Sequence, residues 1–190
     1  MASRCRSPHR ALIHGRASLI ADLLLRRQGA VASVQVIRLL ALSISLLCAC
    51  CSNGSPGVPA QVVGVTDGDT ITAIVDGRQI KVRLNGIDAP EKKQAFGNVS
   101  KQALSGLVFG KRVSIVDLGK DRYGRTIGEV FTPDGQQVEV AMVRLGFAWH
   151  YVKYAPRNTD LAGAELVARK ARRGLWSDAA PVPPWEFRKR

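Results

Sequence analysis

Between Gln61 and Leu84 the chain runs through three short β-rich segments, Gln61 to Thr66, Thr70 to Val75 and Gln79 to Leu84, separated by Asp67-Gly68 and Asp76-Gly77. Asp-Gly readily takes the positive φ angles of a two-residue hairpin turn, so these segments are expected to fold back on one another. A turn at Asp76-Gly77 sets the register: Val75 faces Arg78, Ala73 faces Ile80, Ile71 faces Val82 and Asp69 faces Leu84. One face then carries Ile71, Ala73, Val75, Ile80, Val82 and Leu84 and has to be covered, while the other carries Thr70, Thr72, Lys81 and Arg83.

Downstream, Phe96, Val99, Ala103, Leu104, Leu107 and Val108 recur at helical spacing up to Gly110. Arg112 to Leu118 and Arg125 to Phe131 read as strands, and Val138 to Leu145 as a short helix closed by Gly146. Asn158 or Thr159 caps a last helix in which Leu161, Ala164, Ala168 and Ala171 share a face until Gly174. The expected fold is α+β, a five-stranded OB-type β-barrel with three helices, because a twisted sheet this short buries its edges best by closing. No internal repeat interrupts this pattern.

A chain of 190 residues has room for one such domain and a targeting segment. Residues 1–50 read as an N-terminal extension and export signal, 51–59 as a linker, 60–177 as the folded domain and 178–190 as a Pro-rich basic tail. The apolar run Leu39 to Leu47 follows Arg38 and ends in Leu47-Cys48-Ala49-Cys50, the layout of a secretion signal. Those last four residues are also similar to a bacterial lipobox, so two outcomes stand: lipidation at Cys50 with membrane anchoring, or cleavage and release. In either case the chain is expected outside the cytoplasm, in the periplasm, on the outer membrane or secreted. Residues 1–35 admit two explanations, a start codon assigned too early or an Arg-rich organelle transit segment. All four cysteines lie in the first 51 residues, which excludes disulfides and thiolate metal sites from the domain.

The chain carries 28 basic and 15 acidic residues, a formal charge of +13, and residues 1–50 supply +6 of it through seven arginines against Asp22 alone. The remaining +7 suits a polyanionic partner, though a merely solvated basic surface has the same composition. The hairpin register adds a sharper feature. Asp69, Arg83 and the loop Asn85 to Glu91 meet at one end of the hairpin, so Asp69, Arg83, Asp88 and Glu91 can converge. Carboxylates with no cysteine or histidine beside them form a hard oxygen site suited to calcium or magnesium. An arginine beside them can pair with phosphate oxygens. Taken alone, such a cluster is more often a surface charge network than a catalytic site.

Five motifs occur in order: Asp67-Gly-Asp-Thr70, Val82-Arg-Leu-Asn-Gly-Ile-Asp-Ala-Pro-Glu91, Asp121-Arg-Tyr-Gly-Arg125, Gly146-Phe-Ala-Trp149 and Gly174-Leu-Trp176. Together they resemble the staphylococcal nuclease (thermonuclease) family along roughly residues 61–177. The resemblance implies a calcium-dependent nuclease, a monomer that hydrolyses DNA and RNA with little sugar specificity and leaves 3′-phosphate ends. It assigns Asp69, Asp88 and the backbone carbonyl of Ala89 to calcium, Glu91 to activation or positioning of the attacking water, and Arg83 and Arg125 to the scissile phosphate. Arg122 and Tyr123 fall where the family contacts substrate, and Tyr151 or Tyr154 matches its later tyrosine. The chain departs from the staphylococcal enzyme at Ala89, where that enzyme has threonine, and in a shorter loop between Glu91 and Phe96.

The remaining polar and aromatic residues have plainer readings. Asp67 is expected to open an Asx-type turn, Trp149, Trp176 and Trp185 to pack in the core, and His9, His14 and His150 to take no part in chemistry. Lys92, Lys93, Lys101 and Lys111 fit a phosphate-tracking face or a solvated one equally. Two other functions compete with this reading, a nucleic-acid-binding module without catalysis and a structural envelope lipoprotein. Retention of Asp69, Arg83, Asp88, Glu91 and Arg125 together argues against both.

Overall fold

The computed structural model describes residues 56–190; the expectations for the export signal, for Cys50 and for the first part of the 51–59 linker lie outside the described residues. Asp76 and Gly77 both take positive φ, 47° and 76°, as a type I′ turn requires. The hairpin they close joins β2 (Thr70–Val75) to β3 (Arg78–Leu84), with Val75 opposite Arg78, Ala73 opposite Ile80 and Ile71 opposite Val82. At its open end the Leu84 N–H donates to the Asp69 carbonyl at 2.8 Å. The register set by the turn therefore carries through to the acidic residue.

Strand β1 (Val58–Val65) begins three residues before the expected Gln61, because Val58 to Gln61 pair with Ile115 to Arg112 of β5 (Arg112–Lys120), a distant partner that only closure supplies. Strand β6 (Thr126–Phe131) runs antiparallel to β5 and parallel to β3, closing the barrel in the order β1-β2-β3-β6-β5. Ile71, Ala73, Val82, Leu84, Val113, Ile115 and Val130 fill its interior, and full burial of each larger aliphatic side chain contributes about 1.5–3 kcal/mol. The fold is the expected α+β class, a closed five-stranded barrel with helices packed on it.

Helix α1 (Gly97–Val108) sits where expected and buries Leu104 and Val108, with Ala103 and Leu107 against the core, but at its first turn Ser100 is fully buried and Val99 is exposed. The Ser100 hydroxyl donates to the Phe147 carbonyl at 2.6 Å, which satisfies the buried polar group. Gly68 packs so closely against this hydroxyl that a Cβ there would come within 1.9 Å of it, so the residue between Asp67 and Asp69 has to be glycine. Helix α2 (Val138–Arg144) covers the barrel with Val138 and Met142. Helix α3 (Thr159–Lys170) is capped by Asn158, whose side chain accepts the Leu161 N–H at 2.9 Å. Two two-residue strands, β4 (Ile87–Asp88) and β7 (Trp149–His150), pair outside the barrel.

A second apolar cluster gathers Trp149, Ala168, Leu175 and Trp176, with Phe96 and Trp185 against it, so all three tryptophans pack as expected. Beyond the three anticipated helices the chain forms a 3₁₀ turn, Gly174–Ser177, and a one-turn helix α4 (Pro184–Phe187) within the segment read as a tail.

Glu139, inside α2, is completely buried. One carboxyl oxygen accepts the Val130 N–H at 3.0 Å and the other has no partner among the described residues. Burial raises its pKa from 4.5 to about 8. The folded protein thus keeps this proton while the unfolded chain releases it, and stability falls as pH rises from about 4.5 to 8. Glu139→Gln retains the Val130 acceptor and cannot ionise. Thermal melts at pH 5 and pH 8 are expected to show the variant gaining at least about 3 °C on the wild type between the two values; parallel pH dependences would show that Glu139 does not titrate in this way.

Candidate active site

The rim of the barrel at the β2–β3 end holds the acidic residues because three separate devices fix them. Asp67 accepts the Asp69 N–H at 3.1 Å, the expected Asx-type turn, and so positions Asp69 at the mouth of β2. Gly86, at φ 71°, turns the chain out of β3, and its carbonyl accepts the Tyr151 N–H at 2.8 Å. Pairing of Asp88 with Trp149 then clamps the following loop against β7.

Arg83 links the two aspartates. Its Nη2 lies 3.1 Å from Asp69 Oδ2 and 3.0 Å from Asp88 Oδ1, while Nη1 donates to the Leu84 carbonyl at 3.0 Å. Asp69 is held further by the Ala89 N–H at 2.7 Å and the Thr70 hydroxyl at 3.0 Å. Asp69 and Asp88 are both buried. Burial raises the Asp88 pKa, opposed by the hydrogen bond from Arg188. Asp67 is pushed up to about 6 by burial and by the neighbouring Asp69 charge.

Glu91 joins the cluster by another route. It is 41% exposed and reaches Asp88 through Arg188, whose Nη1 lies 2.7 Å from Glu91 Oε1 and whose Nη2 lies 2.7 Å from Asp88 Oδ2. Arg188 belongs to the segment read as a basic tail. Its charge was visible in the sequence, but no motif or spacing pointed it at the acids.

Arg125 stands apart from these ion pairs. Its Nε donates to Asp121 Oδ2 at 2.7 Å, and its backbone N–H and that of Tyr123 donate to Asp121 Oδ1 at 2.9 Å. Among the described residues no hydrogen bond uses its two Nη nitrogens. Arg125 immediately precedes Thr126, the partner of Val82 in the parallel β3–β6 pair, so it enters the barrel beside the strand that carries Arg83. Exposed Tyr123 lies under Arg122, 4.8 Å from its guanidinium carbon to the ring centre. Tyr151 stacks on Trp185 and meets Tyr154 edge-on at 4.8 Å. His150, for which the sequence offered no partner, contacts the Ala155 carbonyl through Nε2 at 2.9 Å and its backbone N–H donates to Glu165, a structural role.

Asp69 and Asp88 share one guanidinium nitrogen, and the ligating atoms that they bring together are carboxylate oxygens, which suit a hard cation. Among the described residues no three His, Cys, Asp or Glu side chains form a cage on their own. A cation here would need a backbone oxygen such as that of Ala89, and water, to complete its shell. Paired carboxylates and a fixed guanidinium on the rim of a small closed α+β barrel form a set that can take a phosphate ester.

The sequence pattern of staphylococcal nuclease homologues matches residues 81–178. A protein described as an uncharacterized endonuclease of Escherichia coli is 47% identical over 135 residues, 70% of this chain and 86% of its own length. Protein ParB of Escherichia coli is 44% identical over 139 residues, 68% of this chain and 78% of its own length. The micrococcal nuclease of Shigella flexneri is 41% identical over 138 residues, 68% of this chain and 79% of its own length. The chain belongs to the staphylococcal nuclease homologue family and is a nuclease.

Proposed function

We propose that the chain is an exported, calcium-dependent phosphodiesterase that cuts both DNA and RNA and leaves 3′-phosphate ends. The observation that carries the reading is the convergence of Asp69 and Asp88 on one nitrogen of Arg83, which concentrates hard oxygen donors beside a fixed phosphate-binding fork. Asp69, Asp88 and the Ala89 carbonyl would hold the calcium ion. Bound there, calcium supplies polarisation of a phosphate oxygen. Arg83 and Arg125 take the remaining phosphate oxygens and stabilise the charge that builds in the five-coordinate transition state. Glu91, the most exposed of the three carboxylates, accepts a proton from the attacking water or orients it. Arg122, Tyr123 and the Tyr151–Tyr154 pair are proposed to flank the bound strand.

The decisive assay incubates the purified protein with plasmid DNA and with RNA, with calcium, zinc or excess chelator. Calcium is expected to support cleavage of both polymers, zinc to support it poorly and chelator to abolish it. Asp69→Ala and Asp88→Ala are each expected to weaken calcium binding at least about tenfold, since each removes an anionic ligand from a site with few. Full activity in chelator would rule out the metal assignment. Export with processing near Cys50, proposed from Arg38 to Cys51, is checked by intact mass and cell fractionation; the full-length chain in the cytosol would contradict it.

A further inference from the structure

The C-terminal segment makes more contact with the acidic centre than a tail would. Its start is tied down by Gln94, whose side-chain amide donates to the Val182 carbonyl. Pro184 is buried, and Trp185 lies face to face with Tyr151, ring centres 5.0 Å apart and planes 4° off parallel, with its edge against Trp149 at 5.7 Å. One turn further on, the Arg188 guanidinium reaches across the rim. Nη2 donates to Asp88 Oδ2 at 2.7 Å, and Nη1 donates to Asp88 Oδ1 at 3.3 Å and to Glu91 Oε1 at 2.7 Å.

This contact consumes the groups that the chemistry needs. With Arg83 already on Oδ1, Arg188 engages both oxygens of Asp88 and one oxygen of Glu91. The fork matches the two carboxylates in geometry and sign, as a bidentate arginine does. We propose that residues 182–190 form a cationic strap over the active centre, and that closure of the strap and binding of a divalent cation exclude one another because both require the Asp88 oxygens, while the same closure holds the Glu91 carboxylate away from water.

The strap is built to be displaced. Its helix has a single turn, and Arg188 itself is 43% exposed although Asp88 is only 2% exposed. A one-turn element at the surface opens at lower cost than the barrel strands. The consequence is a nuclease silenced by its own C-terminus wherever free cation is scarce and opened as cation rises. The proposal rests on the calcium reading for the identity of the displacing ion.

Two measurements on the full chain test it. Calorimetric titration of calcium into wild type, Arg188→Ala and Arg188→Lys is expected to give an affinity about tenfold tighter in the alanine variant, the factor for a strap closed about nine-tenths of the time. The lysine variant, which cannot bridge both carboxylates with a planar fork, should fall between them. Hydrogen exchange of the wild type is expected to quicken at Glu186 to Arg190 when calcium is added, since their backbone bonds to Pro183, Pro184, Glu186 and Phe187 belong to the strap. Equal calcium affinity in all three proteins, or exchange in this segment unchanged by saturating calcium, overturns the strap while leaving the calcium site intact. Absence of calcium binding in every variant overturns the calcium reading and the strap with it. A lower cleavage rate in Arg188→Ala at unchanged calcium affinity would make Arg188 a positioning residue for Glu91 and likewise overturn the exclusion.

Discussion

Arg125→Lys is expected to lower the rate of phosphodiester cleavage by about 10²–10³-fold, the cost of removing one fixed donor from a developing oxyanion. Asp121 holds Arg125 through Nε at 2.7 Å, which aims the guanidinium while leaving its two Nη nitrogens available for a phosphate. Lysine retains the charge but has one nitrogen, which can pair with Asp121 or meet the phosphate and cannot do both. The loss should therefore appear in single-turnover rate at saturating calcium, with calcium affinity unchanged. Folding should be spared, because Arg125 is 30% exposed and lies outside the apolar core. A rate within a factor of about three of wild type would remove Arg125 from the transition state and make its bond to Asp121 a structural contact of the β5–β6 turn.

Glu91→Gln is expected to lower the rate by at least about 10²-fold, the low end for loss of a general base. Glutamine preserves the side chain's length and an acceptor oxygen for Arg188, so the variant separates basicity from shape. The Glu91 loop is fixed independently of the carboxylate, through the Glu91 N–H on Gln94 Oε1 at 3.1 Å and the Gln94 N–H on the Glu91 carbonyl at 2.8 Å. Thermal stability and nucleotide affinity should accordingly stay close to wild type while single-turnover cleavage falls. Near-normal rates in both this variant and Arg125→Lys would favour a nucleic-acid-binding role for the site over a catalytic one.

Much of the centre is legible in the sequence because its geometry is local. Asp-Gly at 76–77 admits one tight turn, the side-chain period of a strand is two, and together these place Asp69 opposite Leu84 and Arg83 one residue away, at the end where the Asn85 to Glu91 loop departs. The helices followed from apolar spacing and from the Asn158 cap. Less legible was the first turn of α1, in which Ser100 rather than Val99 faces inward. That choice depends on the Phe147 carbonyl, 47 residues away in sequence, being in place to accept its hydroxyl.

Arg188 marks the boundary between the two kinds of information. Turn chemistry, strand period and capping act over a few residues, so they dictated the hairpin, the helices and the nearness of Asp69 to Arg83, whereas Asp88 is clamped beside them by its pairing with Trp149. Nothing local distinguishes Arg188 from Lys189 or Arg190, which are equally basic neighbours. Its pairing with Asp88, 100 residues upstream, exists because Trp185 stacks on Tyr151 and Gln94 holds Val182, contacts between segments that meet only after the barrel has closed. The burial of Glu139 and the early start of β1 have the same origin, since a residue's partners across a closed barrel are set by packing and strand order and not by its sequence neighbours.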